Sequence, residues 1–217
     1  QDWPGRIGYW QIGVPPSGPM DDVSFRLANV AVGNPEGAPA LEATMGGPAL
    51  RLDTDTWVCV TGAPARVTVD GFRVPQWEPV LVAAGAVLDV GMVDGPGLRT
   101  YIAFAGGLSA EEYLGSAATF TLGRFGGHEG RVLAVGDKLE TGGAAAGRRR
   151  RILFDEQPAI GRHWYIAVTV GPHSAPEFFT RADIDTLLTH DYEVHFNSDR
   201  TGVRLIGPKP QWARPDG

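Results

Sequence analysis

The residues best suited to chemistry lie near the end of the chain. The segment "GPKPQWARPDG" (207–217) turns at Gly207-Pro208 and then presents Lys209, Trp212 and Arg214 between prolines. Proline fixes φ, so such a segment is stiff and extended. A cation held on a stiff loop can stabilise a transferring carboxylate with little reorganisation. An exposed packing or interface loop is the other reading of the same residues. Just upstream, "NSDRTG" (197–202) reads as a polar loop between two strands and groups Asn197, Ser198, Asp199 and Arg200. Asp199 and Arg200 can pair with each other, or Arg200 can grip a carboxylate as a bidentate fork. Near the start, "GVPPSGPMDD" (13–22) delivers Ser17 and Asp21 to a helix N-terminus. The unpaired amides and positive dipole there favour anions; alternatively, both residues cap and brace the turn. Glu42, in "LEATMGGP" (41–48), sits beside an apolar strand. It is therefore either satisfied by backbone amides or turned toward a site.

Other reaction classes find little support. The five histidines, His128, His163, His173, His190 and His195, include no pair at helical metal spacing. With one cysteine in the chain, no cysteine pair exists either, so no metal site is expected. There is no Walker loop and no G-x-S-x-G elbow. The net charge of −6 argues against a nucleic-acid partner. The basic run at 148–151 follows a Gly/Ala-rich stretch and reads as a solvated loop. Cys59 lies in the apolar run Trp57-Val58-Cys59-Val60, with no charged neighbour to activate it, and reads as a small buried hydrophobe. A single cysteine forms no internal disulfide and suits a reducing, cytoplasmic setting. No run of about 18 apolar residues suggests a membrane span, and no signal peptide is apparent. The chain starts at Gln1 without an initiator methionine and is expected to be cut from something longer at both ends.

These loops need a scaffold. Thirty glycines and 17 prolines punctuate short β-branched and aromatic runs. Strands are expected at 56–61, 65–69, 80–82, 87–90, 100–104, 152–154, 166–170, 192–196 and 203–206, a mainly β pattern suggestive of barrels or sandwiches. Asp70-Gly71 marks a hairpin turn. Three helices are expected. The first runs over about 22–32, capped by Asp21 and stopped by Gly33, with Val23, Leu27, Val30 and Ala31 on its apolar face. The second spans about 110–114 and the third about 176–188, each announced by capping-box spacing (Ser109/Glu112 and Ser174/Glu177). A boundary is expected at the Gly/Ala/Arg stretch, giving units 1–147 and 148–217, the second unfinished.

The same motifs carry a resemblance. "QDWPGRIGYWQIGVPPSGPMDDVSFRLANVAVGN", "ALEATMGGPALRL", "YIAFAGGL", "YLGSAATFTLGRFGGHEGRVLAVGD" and "FNSDRTGVRLIGP" occur in order and resemble the allophanate hydrolase subunit 2 family, the carboxyltransferase A and B domain. The resemblance covers essentially the whole chain. It implies two cyclophilin-like β-barrel units with a few short helices, the second unit incomplete here. "GPKPQWARPDG" and "GGHEGR" (126–131) resemble the urea carboxylase branch, with guanidine carboxylase a close relative, more than the 5-oxoprolinase branch.

What the resemblance implies is transfer of a carboxylate from carboxybiotin to a nitrogen of urea or guanidine. Biotin rides on a carrier domain and ATP is used by a biotin carboxylase domain. A C and D half of the carboxyltransferase completes the active site, so the isolated piece is expected to be silent. Within that scheme Lys209 and Arg214 are expected to assist carboxylate or biotin binding. Asn197, Ser198, Asp199 and Arg200 form a polar wall, with Asp199 accepting from a urea N–H. Ser17 and Asp21 support the first helix loop. The alternatives are a subunit of an ATP-dependent 5-oxoprolinase and a non-catalytic regulatory module.

Overall fold

The computed structural model describes residues 1–143, 147–200 and 202–214. The Gly/Ala-rich stretch at its middle, Thr201 of the polar loop and the last three residues of the terminal motif lie outside the described residues. Two compact units are present, Gln1–His163 and Trp164–Gly217.

In the first unit the chain forms α1 (Asp22–Val32) and then strands β1 (Leu41–Thr44), β2 (Ala49–Arg51), β3 (Thr56–Gly62), β4 (Ala65–Val69), β5 (Phe72–Arg73), β6 (Val80–Val82), β7 (Val87–Val93), β8 (Arg99–Phe104), β9 (Leu108–Ser109) and β10 (Glu140–Thr141). Eight of them make two antiparallel four-stranded sheets, ordered β1-β8-β3-β6 and β2-β7-β4-β5. The expected mainly β architecture therefore forms, but the described pairings leave two open sheets and close no barrel.

Strand periodicity explains the layering. Side chains alternate faces along a strand. Val58 and Val60 of β3, Ile102 and Phe104 of β8 and Val82 of β6 point one way and meet Val67, Leu88 and Val90 of the second sheet in one core. Cys59 of β3 and Tyr101 and Ala103 of β8 point the other way and meet α1. The register Val60↔Ile102 and Cys59↔Ala103 keeps the two faces separate. Each fully buried Val, Leu or Phe side chain contributes about 1.5–3 kcal/mol.

Helix α1 is bounded as its sequence predicts, by Asp21 at the N-cap and by Gly33 at φ 85° at the C-terminus. Its buried stripe, however, is rotated from the expected one. Phe25, Ala28, Asn29, Ala31 and Val32 are buried, Leu27 and Val30 are half-buried, and Val23 is exposed. Ala28 and Ala31 offer little bulk, so the helix can lie close to β3 and β8, with the Phe25 ring edge-on to Tyr101 at 5.9 Å.

The helix expected at 110–114 is absent. Leu114 and Gly115 both have positive φ (54° and 73°), and the Tyr113 amide bonds Ser116 O at 2.9 Å. Five residues cannot repay helix nucleation against such a turn. The strand expected at 152–154 is also absent. Ile152 instead inserts into the α1 core, and a 3-10 turn, Phe154–Glu156, follows.

The second unit contains α2 (Arg181–Thr189) and a two-residue ladder of β11 (Glu193–Val194) with β12 (Leu205–Ile206). Helix α2 starts five residues later than expected. Thr180 and Asp183 form the capping box, rather than Ser174 and Glu177. Residues 166–170, expected as a strand, join no ladder among the described residues.

Candidate functional site

In the first unit the start of α1 is built by three side chains from separate elements. Asp21 closes the helix: one carboxylate oxygen accepts from the Ser24 amide at 3.0 Å and the other from the Ser24 hydroxyl at 2.5 Å. The Asp21 amide donates to the Tyr101 hydroxyl at 2.8 Å. Glu42 stands directly opposite Tyr101 in the β1–β8 register. Its Oε2 accepts from the Met20 amide at 2.8 Å, and its Oε1 lies 3.7 Å from Arg99 Nε. Glu42 is thus satisfied by a backbone amide and faced by a cation, which resolves the choice its sequence position posed. Burial, followed by the charge of Glu42, pushes the Tyr101 phenol far above its ordinary range. Helix capping engages the Asp21 carboxylate directly. Ser17 sits half-buried in the same loop at φ 57°. The Arg6 amide donates to Pro16 O at 2.6 Å and anchors that loop.

Arg6 itself is fully buried. Its guanidinium donates to Tyr113 O at 2.8 Å, Ala118 O at 2.8 Å and Ser116 O at 3.3 Å, and stacks over Phe125 at 4.9 Å. Gly126 of the "GGHEGR" motif has φ 72°, and a Cβ there would stand 2.3 Å from Ala118 O and 2.7 Å from Arg6 Nη2. The glycine is therefore required by close approach as well as by backbone conformation. Further along the motif, Arg131 forks onto Asp137 at 2.7 and 2.8 Å and onto Glu129 at 2.8 Å, while His128 Nε2 lies 3.6 Å from Asp137. The Arg131 fork, helped by the Ala134 amide, holds the Asp137 carboxyl far below the usual carboxylate range. This cluster borders an open depression of about 450 Å³ lined by Thr121, Arg124, Glu129, Gly130, Arg131 and Val132. Among the described residues no group of His, Cys, Asp and Glu is arranged to hold a metal ion. No helix there is long and apolar enough to cross a membrane.

The other six candidates lie in the second unit. Asn197, Ser198, Asp199 and Arg200 share the loop between β11 and β12. Ser198 braces it: its Oγ accepts from the Arg204 amide at 3.0 Å, and the His195 carbonyl accepts from the Ser198 amide at 3.1 Å. The Asp199 amide donates to Gly202 O at 3.1 Å, and its Oδ1 accepts from the Gly202 amide at 3.3 Å. The Asn197 amide donates to His195 Nδ1 at 3.0 Å. Asn197, Asp199 and Arg200 are exposed.

Beyond β12, Lys209 is exposed. Arg214 lies 4.0 Å from Glu177 and 4.8 Å over the Phe178 ring. Asp183, which sequence reasoning did not single out, ties this terminal segment down. Its Oδ1 accepts from the Gln211 amide at 2.6 Å, and its Oδ2 accepts from the Thr180 amide and hydroxyl, both at 2.8 Å. The Gln211 amide is the largest influence holding the Asp183 carboxyl below its ordinary range. The Thr-x-x-Asp spacing of a capping box was the sequence signal that could have found it.

Comparison with known proteins agrees with the resemblance. The model for "Carboxyltransferase domain, subdomain A and B" matches residues 12–216. The chain is 46% identical to urea amidolyase of Saccharomyces cerevisiae, an alignment covering 100% of the chain and 12% of that protein. It is 32% identical to a 5-oxoprolinase subunit of Escherichia coli, covering 94% of the chain and 64% of that protein. The crystal structure of Kluyveromyces lactis urea carboxylase superposes with a TM-score of 0.91 at 44% identity, covering 99% of the chain and 20% of that structure.

Proposed function

The chain belongs to the family of the carboxyltransferase domain, subdomain A and B, and from that membership we propose that it forms part of the carboxyltransferase of a biotin-dependent urea carboxylase. The observation that carries this reading is 46% identity to urea amidolyase over the whole chain, against 32% to the bacterial 5-oxoprolinase subunit. The reaction is transfer of a carboxylate from carboxybiotin to a nitrogen of urea or guanidine. Because the chain spans 12% of the yeast protein's length, the rest of the machinery belongs to a longer parent. That machinery is the C and D half of the transferase, a biotin carrier domain and an ATP-using biotin carboxylase domain. The parent acts in the cytoplasm.

The first cyclophilin-like unit of this scheme falls within Gln1–His163 and the start of the second within Trp164–Gly217. Bound biotin supplies an activated carboxylate. The donor set of the second unit suits that group: an exposed ammonium at Lys209 and a guanidinium at Arg214 follow a polar loop. Lys209 and Arg214 would hold that carboxylate, or the biotin that carries it, as charge moves. A urea nitrogen is a poor nucleophile because its lone pair is delocalised, so orientation and exclusion of water lower the barrier. Asp199 accepts from a urea N–H and orients the nitrogen, and Asn197, Ser198 and Arg200 complete a polar wall. Ser17 and Asp21 support the first unit's loop.

The test is ATP- and bicarbonate-dependent carboxylation by the intact parent with urea, guanidine and 5-oxoproline side by side, with and without avidin. Avidin-sensitive turnover of urea or guanidine is expected. Avidin-insensitive turnover of 5-oxoproline overturns the reading.

A further inference from the structure

Most described residues of the second unit are exposed, yet the unit buries one charged side chain. Among its described residues Asp183 is the single buried one, at 8% exposure. It is also the point where the terminal segment meets the start of α2. Gln211 gives its amide to Asp183 Oδ1, and the Trp212 amide also faces this carboxylate. The Trp212 ring lies 4.8 Å from Phe179 at an interplanar angle of 31°. The Ala213 amide donates to Phe178 O at 2.9 Å, and the Arg214 guanidinium covers the Phe178 ring. Each of these four consecutive residues is therefore fixed to residues 177–183. Gln211 stands two residues after Lys209 and three before Arg214, and the intervening Pro210 limits how far Lys209 can swing.

We propose that Asp183 is a positioning residue for carboxyl transfer: its carboxylate clamps the segment bearing Lys209 and Arg214 onto the start of α2 and so sets where the two cations stand. The proposal rests on the roles given to Lys209 and Arg214 above. The chemistry favours a carboxylate at this point. N–H and O–H donors approach both oxygens, with Gln211 on one and Thr180 on the other. An ionised carboxylate is acceptor-only and serves both sides, whereas a carboxamide turns an NH2 group against one set of donors. A capping residue alone needs only the Thr180 side of the contact. The Gln211 side extends the same carboxylate to the cation-bearing segment.

The decisive experiment uses the intact parent enzyme carrying Asp183→Asn, Lys209→Ala or both. Amide exchange is followed in peptides spanning 205–214 and 184–190, and urea-dependent ATP cleavage is measured relative to the urea-independent rate. In Asp183→Asn, exchange over 205–214 is expected to rise about tenfold with little change over 184–190, while the urea-dependent ratio falls about tenfold. In the Lys209→Ala background the Asp183 change is expected to cost less than it does alone, with only the share carried by Arg214 remaining, because coupled residues are non-additive. Unchanged exchange over 205–214 overturns the clamp. Equal acceleration over 184–190, or losses that multiply in full in the double variant, makes Asp183 a helix cap only. If Lys209→Ala alone leaves urea turnover intact, the assignment of Lys209 fails, and the exchange result still decides whether the clamp exists.

Discussion

The Tyr101 hydroxyl accepts a hydrogen bond from the Asp21 amide at 2.8 Å, joining β8 to the first turn of α1 across 80 residues of sequence. The Tyr101 ring is fully buried, so this bond is shielded from water. Removing the hydroxyl leaves the Asp21 amide without that acceptor while the ring still fills the core. Tyr101→Phe is expected to lower stability by about 1–2 kcal/mol, read as a shift of the denaturant midpoint without a change in slope. An unshifted midpoint rejects this account.

A second network closes the far end of α1. Asn34 donates to Asn29 Oδ1 at 2.9 Å and to Phe104 O at 2.8 Å, and accepts from the Gly106 amide at 2.8 Å. Asn29 in turn donates to Ala38 O at 2.9 Å. Asn34→Ala strips partners from three polar groups in a buried setting and is expected to cost about 2–4 kcal/mol. Thermal unfolding measures this, and a loss below about 0.5 kcal/mol contradicts it.

Acid stability depends in part on Glu156. Its two oxygens accept from Arg150 at 2.8 Å each, and the Leu153 amide adds a third bond. Arg150, followed by that amide, draws the Glu156 carboxyl down to about 2 from an ordinary 4.5. A depressed folded pKa contributes stability that is full above the unfolded value and lost as pH falls through the folded one. The contribution therefore fades between pH 4.5 and about 2. Carboxyl NMR titration should place Glu156 near that lower value, and Arg150→Ala should return it toward 4.5. The same titration curve in both proteins refutes the pairing.

Cys59 is 1% exposed, and burial pushes its thiol up to about 12. The thiolate is the reactive form, so the native protein should resist alkylation at about pH 8. Modification is expected to follow global unfolding as denaturant is added. Rapid labelling of the native chain contradicts this.

In the intact parent, Lys209→Ala is expected to lower urea-dependent turnover by about 10²-fold, the scale of losing one preorganised charge donor. Asp199→Asn keeps the oxygen that accepts from the Gly202 amide, so stability should hold while the KM for urea rises about tenfold. Unchanged urea kinetics in either variant removes that residue from the site.

Local signals were legible in the sequence where geometry is local. Asp21 and Gly33 bound α1 because a cap and a left-handed stop are decided within a few residues. The strands at 56–61, 65–69 and 100–104 appeared with boundaries close to those found, since β-branched runs between turn residues leave the chain few alternatives. Cys59 was readable as buried from its apolar neighbours. The turn that replaces a helix at 110–114 was not readable, because capping-box spacing says nothing of a left-handed turn two residues later. The rotation of the α1 stripe was hidden too: hydrophobicity alone does not reveal that Ala28 and Asn29 face the sheet while Val23 faces water.

By itself the sequence determined the mainly β class, α1, the five strands β3, β4, β6, β7 and β8 of the first unit, and the family, because propensity, capping and ordered motifs are properties of contiguous residues. It also marked the polar loop 197–202 and the terminal cations as the places where chemistry could occur. Only the tertiary structure decided which distant groups meet. It set Glu42 opposite Tyr101 through strand register and turned both toward the start of α1. It also carried the Asp183 carboxylate to the Gln211 amide, 28 residues away. A hydrogen bond acts over about 3 Å of space whatever the separation along the chain, so such pairings exist only once the backbone has folded to present them.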